Sequence, residues 1–262
     1  MLRYLRLYAH LVRFSFSKAL AFRMDFFFRF VMDLVYYAVH LAFFGVLYRH
    51  TALLGGWTLE KSLVFLGAYF VIDAMNMTVF ASNLWNFPFL VNKGDLDFYL
   101  VRPASPLFFA SLREFAANSF LNLLVAGGIL AFALARLPGA VGSGRTAVFL
   151  LSLPVGTLLV WSLHMLFLIP VFWLHSNEGL NQVFFSVEHF AERPDGIYTG
   201  WTRRILVSVL PFAVTASFPA RILFEGPRPG LLLHLAAVAS GAFLAMLWLW
   251  RRGLRAYTSA SS

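Results

Sequence analysis

Between Met24 and Trp250 the chain returns repeatedly to apolar runs of about twenty residues, each long enough as an α-helix to cross a hydrocarbon layer ~30 Å thick. Hydrocarbon offers backbone groups no water, so such runs fold as helices and their connections lie at the membrane faces or under protein cover. Composition agrees: 60% of residues are hydrophobic and 13% are charged, against roughly 25% charged in soluble domains. Thirty Phe suit a lipid-facing surface. The absence of Cys removes disulfide frameworks, zinc ribbons and thiolate nucleophiles together. At ~20 residues per crossing, 262 residues hold about six spans and leave no room for a soluble catalytic domain. The expectation is an all-α polytopic membrane protein, one transmembrane domain over 1–262. Its net charge of +9 then meets anionic headgroups and protein partners, not nucleic acid.

Residues 1–23 are too often interrupted by charge to span, and no small-residue cleavage site follows a compact apolar core. Arg3, Arg6, His10 and Arg13 follow steps that gather them on one arc of a helix, while Leu5, Leu7, Leu11, Val12, Phe14 and Phe16 fill much of the rest. This reads as an interfacial helix with its basic stripe among the headgroups.

The first span is expected over Met24–Tyr48. Arg29 and Asp33, four apart on one face, form a structural pair there. The second runs from about Lys61 to Trp85 and carries Asp73, Asn76 and Asn83, with Asp73 the most isolated acid in the apolar chain. Residues 86–106 are the least membrane-like. Lys93, Asp95, Asp97 and Arg102 stand among aromatic and aliphatic residues between Pro88 and Pro103, with Gly94 as a break. One or two short helices across the membrane face, anchored by Phe89, Leu90, Phe98 and Tyr99, would make a docking surface.

The third span starts within Pro106–Glu114 and ends near Ala135, with Asn118 and Asn122 on one face and Gly127 and Gly128 permitting close helix contact. An external loop follows over Leu137–Arg145. The fourth span, Thr146–Trp173, holds Pro154, Pro170 and His164. A short polar span over Ser176–Glu192, needing burial against protein, precedes a region at 196–228 in which Pro211 and Pro219 divide apolar pieces too short to cross, as in re-entrant helices. The last span, Leu231–Trp250, ends on Arg251, Arg252 and Arg255, and the basic loops place both termini in the cytoplasm.

No phosphate-binding Gly-x-x-x-x-Gly-Lys loop, no His-Glu-x-x-His and no nucleophile elbow is present, so the sequence offers no catalytic, metal or cofactor site of its own. Two functional classes can be weighed on the residues alone. An ion-coupled secondary transporter would need broken helices in both halves of an inverted repeat, and the broken pieces occur only near the end. An intramembrane enzyme would need a reactive set at one depth, with Asp73 and His164 the one candidate pair.

The stretch Lys93-Gly94-Asp95-Leu96-Asp97-Phe98-Tyr99-Leu100-Val101-Arg102-Pro103, with Arg193-Pro194-Asp195-Gly196-Ile197-Tyr198 and the paired Leu210-Pro211-Phe212 and Phe218-Pro219-Ala220, resembles the ABC-2 type permeases, in particular a branch with a G-x-L-D-x-x-L-x-R-P signature. The resemblance covers nearly the whole chain. It implies the membrane subunit of a type V exporter: an interfacial connecting helix over 1–23, six spans, a coupling region over 86–106 and re-entrant helices over 196–228. It further implies two separate ATPase subunits that bind ATP and Mg, and a second permease, identical or paralogous, in a bacterial plasma membrane. Lys93, Asp95, Asp97, Phe98 and Arg102 fall at the ATPase contact. The pathway candidates are Asp73, Asn76, Asn83 and His164. Few charges at depth suit an amphipathic or lipid-like cargo.

Overall fold

The computed structural model describes residues 2–21, 23–137, 142–174, 176 and 178–258. Among them there is no strand, only an isolated bridge between Leu54 and Trp57. Helix α1 (Leu2–Ala21) leaves Arg3, Arg6, His10 and Arg13 exposed, together with Leu5 and Phe14, as an interfacial helix requires. Helix α2 (Arg23–His50) follows, and the Tyr48 hydroxyl closes the turn after it by donating to the Trp57 carbonyl at 2.9 Å.

Helix α3 (Leu59–Asn76), a π-helical turn at Met77–Ala81 and helix α4 (Ser82–Asn92) make one continuous helix of 34 residues. The second span therefore runs past the expected end at Trp85 and absorbs the start of the segment 86–106. Pro88 sits inside α4 without ending it, since a proline removes one backbone bond and neighbouring helices can make good that loss. The break comes at Gly94, whose φ of 78° is open to glycine. Two short helices follow, α5 (Asp97–Leu100) and α6 (Pro106–Leu112), and only then does α7 (Ala117–Arg136) begin the third span, later than its sequence suggested.

Helix α8 (Ser143–Leu168) carries Pro154 internally and stops before Pro170, beyond which α9 (Val171–Leu174) adds one turn. Of the loop expected over Leu137–Arg145, residues 138–141 lie outside the described residues, and Ser143–Arg145 already belong to α8. Helix α10 (Glu178–Glu188) is 11 residues, about 16 Å, extended by a 3-10 turn to Glu192. Its expected burial against protein holds on the Phe184 side; Gln182, Val183 and Phe185 are exposed. Helix α11 (Gly200–Arg204) with its π turn at Ile205–Val209, and helix α12 (Val214–Glu225), are bent by 95°. Helix α13 (Pro229–Ala256) closes the chain. Among the described residues, five units are long and apolar enough to cross a membrane, six if the bent pair counts as one.

The bundle is organised around α3. Val64, Phe65, Leu66, Ala68, Phe70 and Ile72 are all buried there, because α7, α8 and α12 pack on it from several sides. A second core fills the end of the bundle where α1 and the last turn of α13 lie, labelled the inner end; there Phe87, Leu90 and Leu96 meet Trp161, Phe172 and Trp250. Close helix approach occurs at Gly67 against Leu130 and at Gly156 against the Thr215 carbonyl. Gly127 and Gly128, expected to serve that purpose, have open space around them. Gly128 instead lines a crevice of about 340 Å³.

The opposite end, labelled the outer end, is locked by Asp195, which is fully buried. Arg203 of α11 donates to its Oδ2 at 2.8 Å, and Arg221 of α12 grips both oxygens, Nε to Oδ1 and Nη2 to Oδ2, at 2.9 Å each. The Asp195 amide donates to Ser217 Oγ at 3.0 Å. The next residue, Gly196, packs against Gly55 in the turn between α2 and α3, where an added Cβ would fall 2.3 Å from the Gly55 carbonyl oxygen. Gly226 lies beside Arg145 at the start of α8. The bent pair thus leaves and returns at the same end of the bundle, the geometry of a re-entrant segment.

Two outcomes follow for purified protein in detergent. Asp195→Asn leaves two guanidinium groups facing a neutral amide and lowers unfolding stability by ~3–5 kcal/mol, as removal of one partner from a buried ionic cluster does. Gly196→Ala forces the outer turn apart and reduces the folded yield in size-exclusion profiles, whereas Gly144→Ala, with open space around it, leaves the yield unchanged.

Candidate functional site

The inner end of the second span carries a surface of mixed character. Lys93, Asp95, Phe98, Val101 and Arg102 are exposed, Phe98 at 66% and Val101 at 83%. Beneath them Leu90, Val91 and Leu96 are buried in the inner core. Helical periodicity explains which residues anchor. Phe87, Leu90 and Val91 share the inward face of α4, so Phe89 points away and is 62% exposed. Phe89 and Phe98 therefore do not anchor the segment, contrary to expectation; Leu90, Leu96 and Tyr99 do. The Arg102 guanidinium lies over the Tyr99 and Phe109 rings at 5.3 and 5.5 Å. Asp97 and Asp95 neighbour Tyr257, just beyond α13. That phenol is pushed up to about 12, first by burial and then by the two carboxylates.

This surface is fastened to the rest of the molecule by main-chain bonds. The π turn frees the Thr78 carbonyl to accept the Ala116 N–H at 2.9 Å. One turn on, Asn83 clamps Glu114: its Nδ2 donates to the Glu114 carbonyl and its Oδ1 accepts the Glu114 N–H, both at 2.8 Å. Helix α1 adds two more ties. Tyr4 Oη accepts the Ser105 N–H at 3.0 Å, and Ser15 Oγ accepts the Phe115 N–H at 3.2 Å. Phe16 packs beside Phe115 and Phe120. The segment 93–116 is thus held by the second span, the interfacial helix and the carboxyl-terminal helix at once.

The four polar residues singled out at depth have different surroundings. Asn83 spends its amide on Glu114 and brings no free group to a pathway. His164, 2% exposed, donates to Asn181 Oδ1 at 3.1 Å and stacks on Phe184 with ring centres 3.9 Å apart. It is a packing group in its setting. Asn76 is buried, with its Oδ1 unpartnered among the described residues. Asp73 is half-buried, and its electrostatic neighbours are Asp33, Glu192 and His40, not His164. The candidate enzyme pair is therefore two separate environments.

Around Asp73 the structure assembles groups that sequence reasoning passed over. His40 Nδ1 donates to the Tyr36 carbonyl at 3.0 Å, and its Nε2 lies 3.5 Å from the Glu192 carboxylate. His189 Nδ1 donates to the same carboxylate at 2.8 Å. The Tyr36 and Tyr69 hydroxyls are 3.2 Å apart. A cavity of about 210 Å³ opens beside His40 and Glu192, walled by Val39, Phe43 and Phe44. One signal was available: Tyr36, His40 and Phe43 recur at helical spacing on the first span. Of the Arg29–Asp33 pair, Asp33 accepts a hydrogen bond from the Asn122 amide, and Arg29 attracts it electrostatically.

A family model described as ABC-2 family transporter protein matches residues 34–261, which takes in every crossing helix, the first from Leu34 onward. No curated protein and no solved structure matches the chain. With a match of that extent over an all-helical, multi-pass membrane architecture, the chain belongs to the ABC-2 family of transporter proteins.

Proposed function

We propose that this permease is half of the membrane pathway of an ATP-driven exporter, moved by separate ATPase subunits that dock on Lys93, Asp95, Asp97, Phe98 and Arg102. The observation that carries the reading is the exposed Phe98 and Val101 beside charged neighbours, on a segment whose underside is buried. Exposed apolar side chains ringed by charge are the form of a protein contact, and the bonds from Asn83 and Thr78 give that contact a stiff connection to the spans. Two ATPases bind ATP and Mg in this scheme, and their closure moves two permeases, identical or paralogous, between inward and outward states.

The exposed arginines of α1 and of the end of α13 support a topology with both termini in the cytoplasm of a bacterial cell. The acidic, tyrosine-lined region around Asp73, at the lightly covered face of α2, supports a pathway between subunits for an amphipathic cargo.

The test is reconstitution with the ATPase. Lys93→Glu combined with Asp95→Lys reduces cargo-stimulated ATP hydrolysis by about tenfold or more, because reversed charges at an interface cost several kcal/mol. Insertion and folding stay unchanged, since both side chains are exposed. Phe98→Ala weakens co-purification of the ATPase by about tenfold, the loss typical of a truncated aromatic contact. Full stimulation in these variants, or transport driven by an ion gradient without ATP, overturns the reading.

A further inference from the structure

Helix α2 is the most lightly covered of the crossing helices: 11% of its apolar window is buried, against 67% for the second span. Few packing contacts hold it, so its polar fastenings count for more. One of them joins it to the outer end. His40 lies ten residues before the end of α2, about 15 Å along the axis. The 3-10 turn His189–Glu192 brings the Glu192 carboxylate to it. Glu192 is in turn three residues from Asp195, which Arg203 and Arg221 hold in place. The contact therefore ties a loosely packed helix to a rigid anchor.

The geometry of this contact requires a proton. The Tyr36 carbonyl can only accept, so His40 Nδ1, 3.0 Å away, carries a hydrogen. In a neutral imidazole the other nitrogen is then a bare lone pair. That nitrogen, Nε2, lies 3.5 Å from Glu192 Oε2, and a lone pair facing a carboxylate oxygen repels it. One added proton, on the ring or on the carboxylate, turns the repulsion into a hydrogen bond. His189 differs: it is 69% exposed, and its bond from Nδ1 to Glu192 Oε1 at 2.8 Å needs only the neutral ring. The other groups around His40 are mostly acidic. Asp73 and Tyr69 come from α3, Glu188, His189 and Arg193 from the segment that ends α10 and the turn after it, and Tyr36 and the deeper Asp33 from α2 itself. Helix α7 has no titratable side chain before Arg136. The cavity of about 210 Å³ beside His40 and Glu192 gives water access to the pair. One turn below, the Tyr36 and Tyr69 hydroxyls meet at 3.2 Å, and phenols keep their protons throughout the range in which histidine titrates.

We propose that His40 and Glu192 form a proton-held latch: with one proton between them α2 is closed on the outer end of the bundle, and loss of that proton frees α2 to swing outward about the Tyr36–Tyr69 contact. The latch would gate the acidic region around Asp73 according to the pH at the outer face. It rests on the two imidazole contacts and the cavity, and stands whether or not an ATPase docks at Phe98.

The test uses the full chain in lipid nanodiscs. It has no native Cys, so spin labels at Val46→Cys on α2 and Val183→Cys on α10, both exposed positions, report one distance. That distance is read from about pH 5.5 to 8.5, across the histidine range. A short distance at low pH gives way to a longer one as pH rises, the open-to-closed ratio growing by up to about tenfold per pH unit, the slope of one released proton. His40→Gln, whose amide keeps its N–H at every pH, stays at the short distance throughout, and His40→Leu at the long one. Glu192→Gln donates to the neutral imidazole and also stays short. His189→Gln keeps the transition. A distance that ignores pH with His40 and Glu192 in place overturns the latch, as does a transition that survives in His40→Leu or is lost in His189→Gln. Glu192→Gln leaves the histidine untouched, and a transition that persists in it overturns the latch as well.

Discussion

The paired bonds between the Asn83 amide and the Glu114 main chain are the constraint on which the inner half of the molecule depends. Glu114 lies in the short break between α6 and α7, where no helix satisfies its peptide groups. An unsatisfied peptide in an apolar setting costs several kcal/mol, so the break exists because a side chain from the second span completes it. Remove that completion and the start of α7, the placement of α6 and the footing of the exposed segment lose their common reference. The Thr78–Ala116 bond and the two ties from α1 act on the same few residues.

The two ends of the bundle are rigid by different means. The outer end relies on charge: one buried carboxylate shared by two arginines on either side of a 95° bend. The inner end relies on peptide hydrogen bonds and aromatic packing, with Lys93, Asp95 and Arg102 left exposed. Ions left in water need no partner within the chain, whereas buried ones must be paired there. The outer cap uses its ions internally.

Architecture was largely legible because lipid leaves few alternatives: long apolar runs, a basic interfacial helix and proline-broken pieces each have one economical reading. Boundaries were less so. Pro88 looked like an end and lies inside a helix, because neighbouring helices outweigh one lost backbone bond. Gly127 and Gly128 looked like a contact and line open space, since small residues permit approach without causing it. The environment of Asp73 was hidden for another reason. Its neighbours His40 and Glu192 come from helices far away in sequence, and no local spacing reports such a meeting. Asp195 was read only as part of a short motif; its two arginine partners lie 8 and 26 residues onward, across the bend.

The π turn at Met77–Ala81 has a consequence in rotation rather than in bonding. A turn that holds one extra residue retards everything beyond it by about 100° around the helix axis. Above it, α3 aims its apolar face at α7, α8 and α12; below it, α4 aims Phe87, Leu90 and Val91 at Trp161 and Trp250. The direction in which the exposed inner segment looks is therefore set by a phase choice within a single span. A one-residue insertion or deletion in that turn would swing the segment around the bundle while leaving the length and hydrophobicity of the crossing almost untouched, a route by which related chains could face different partners.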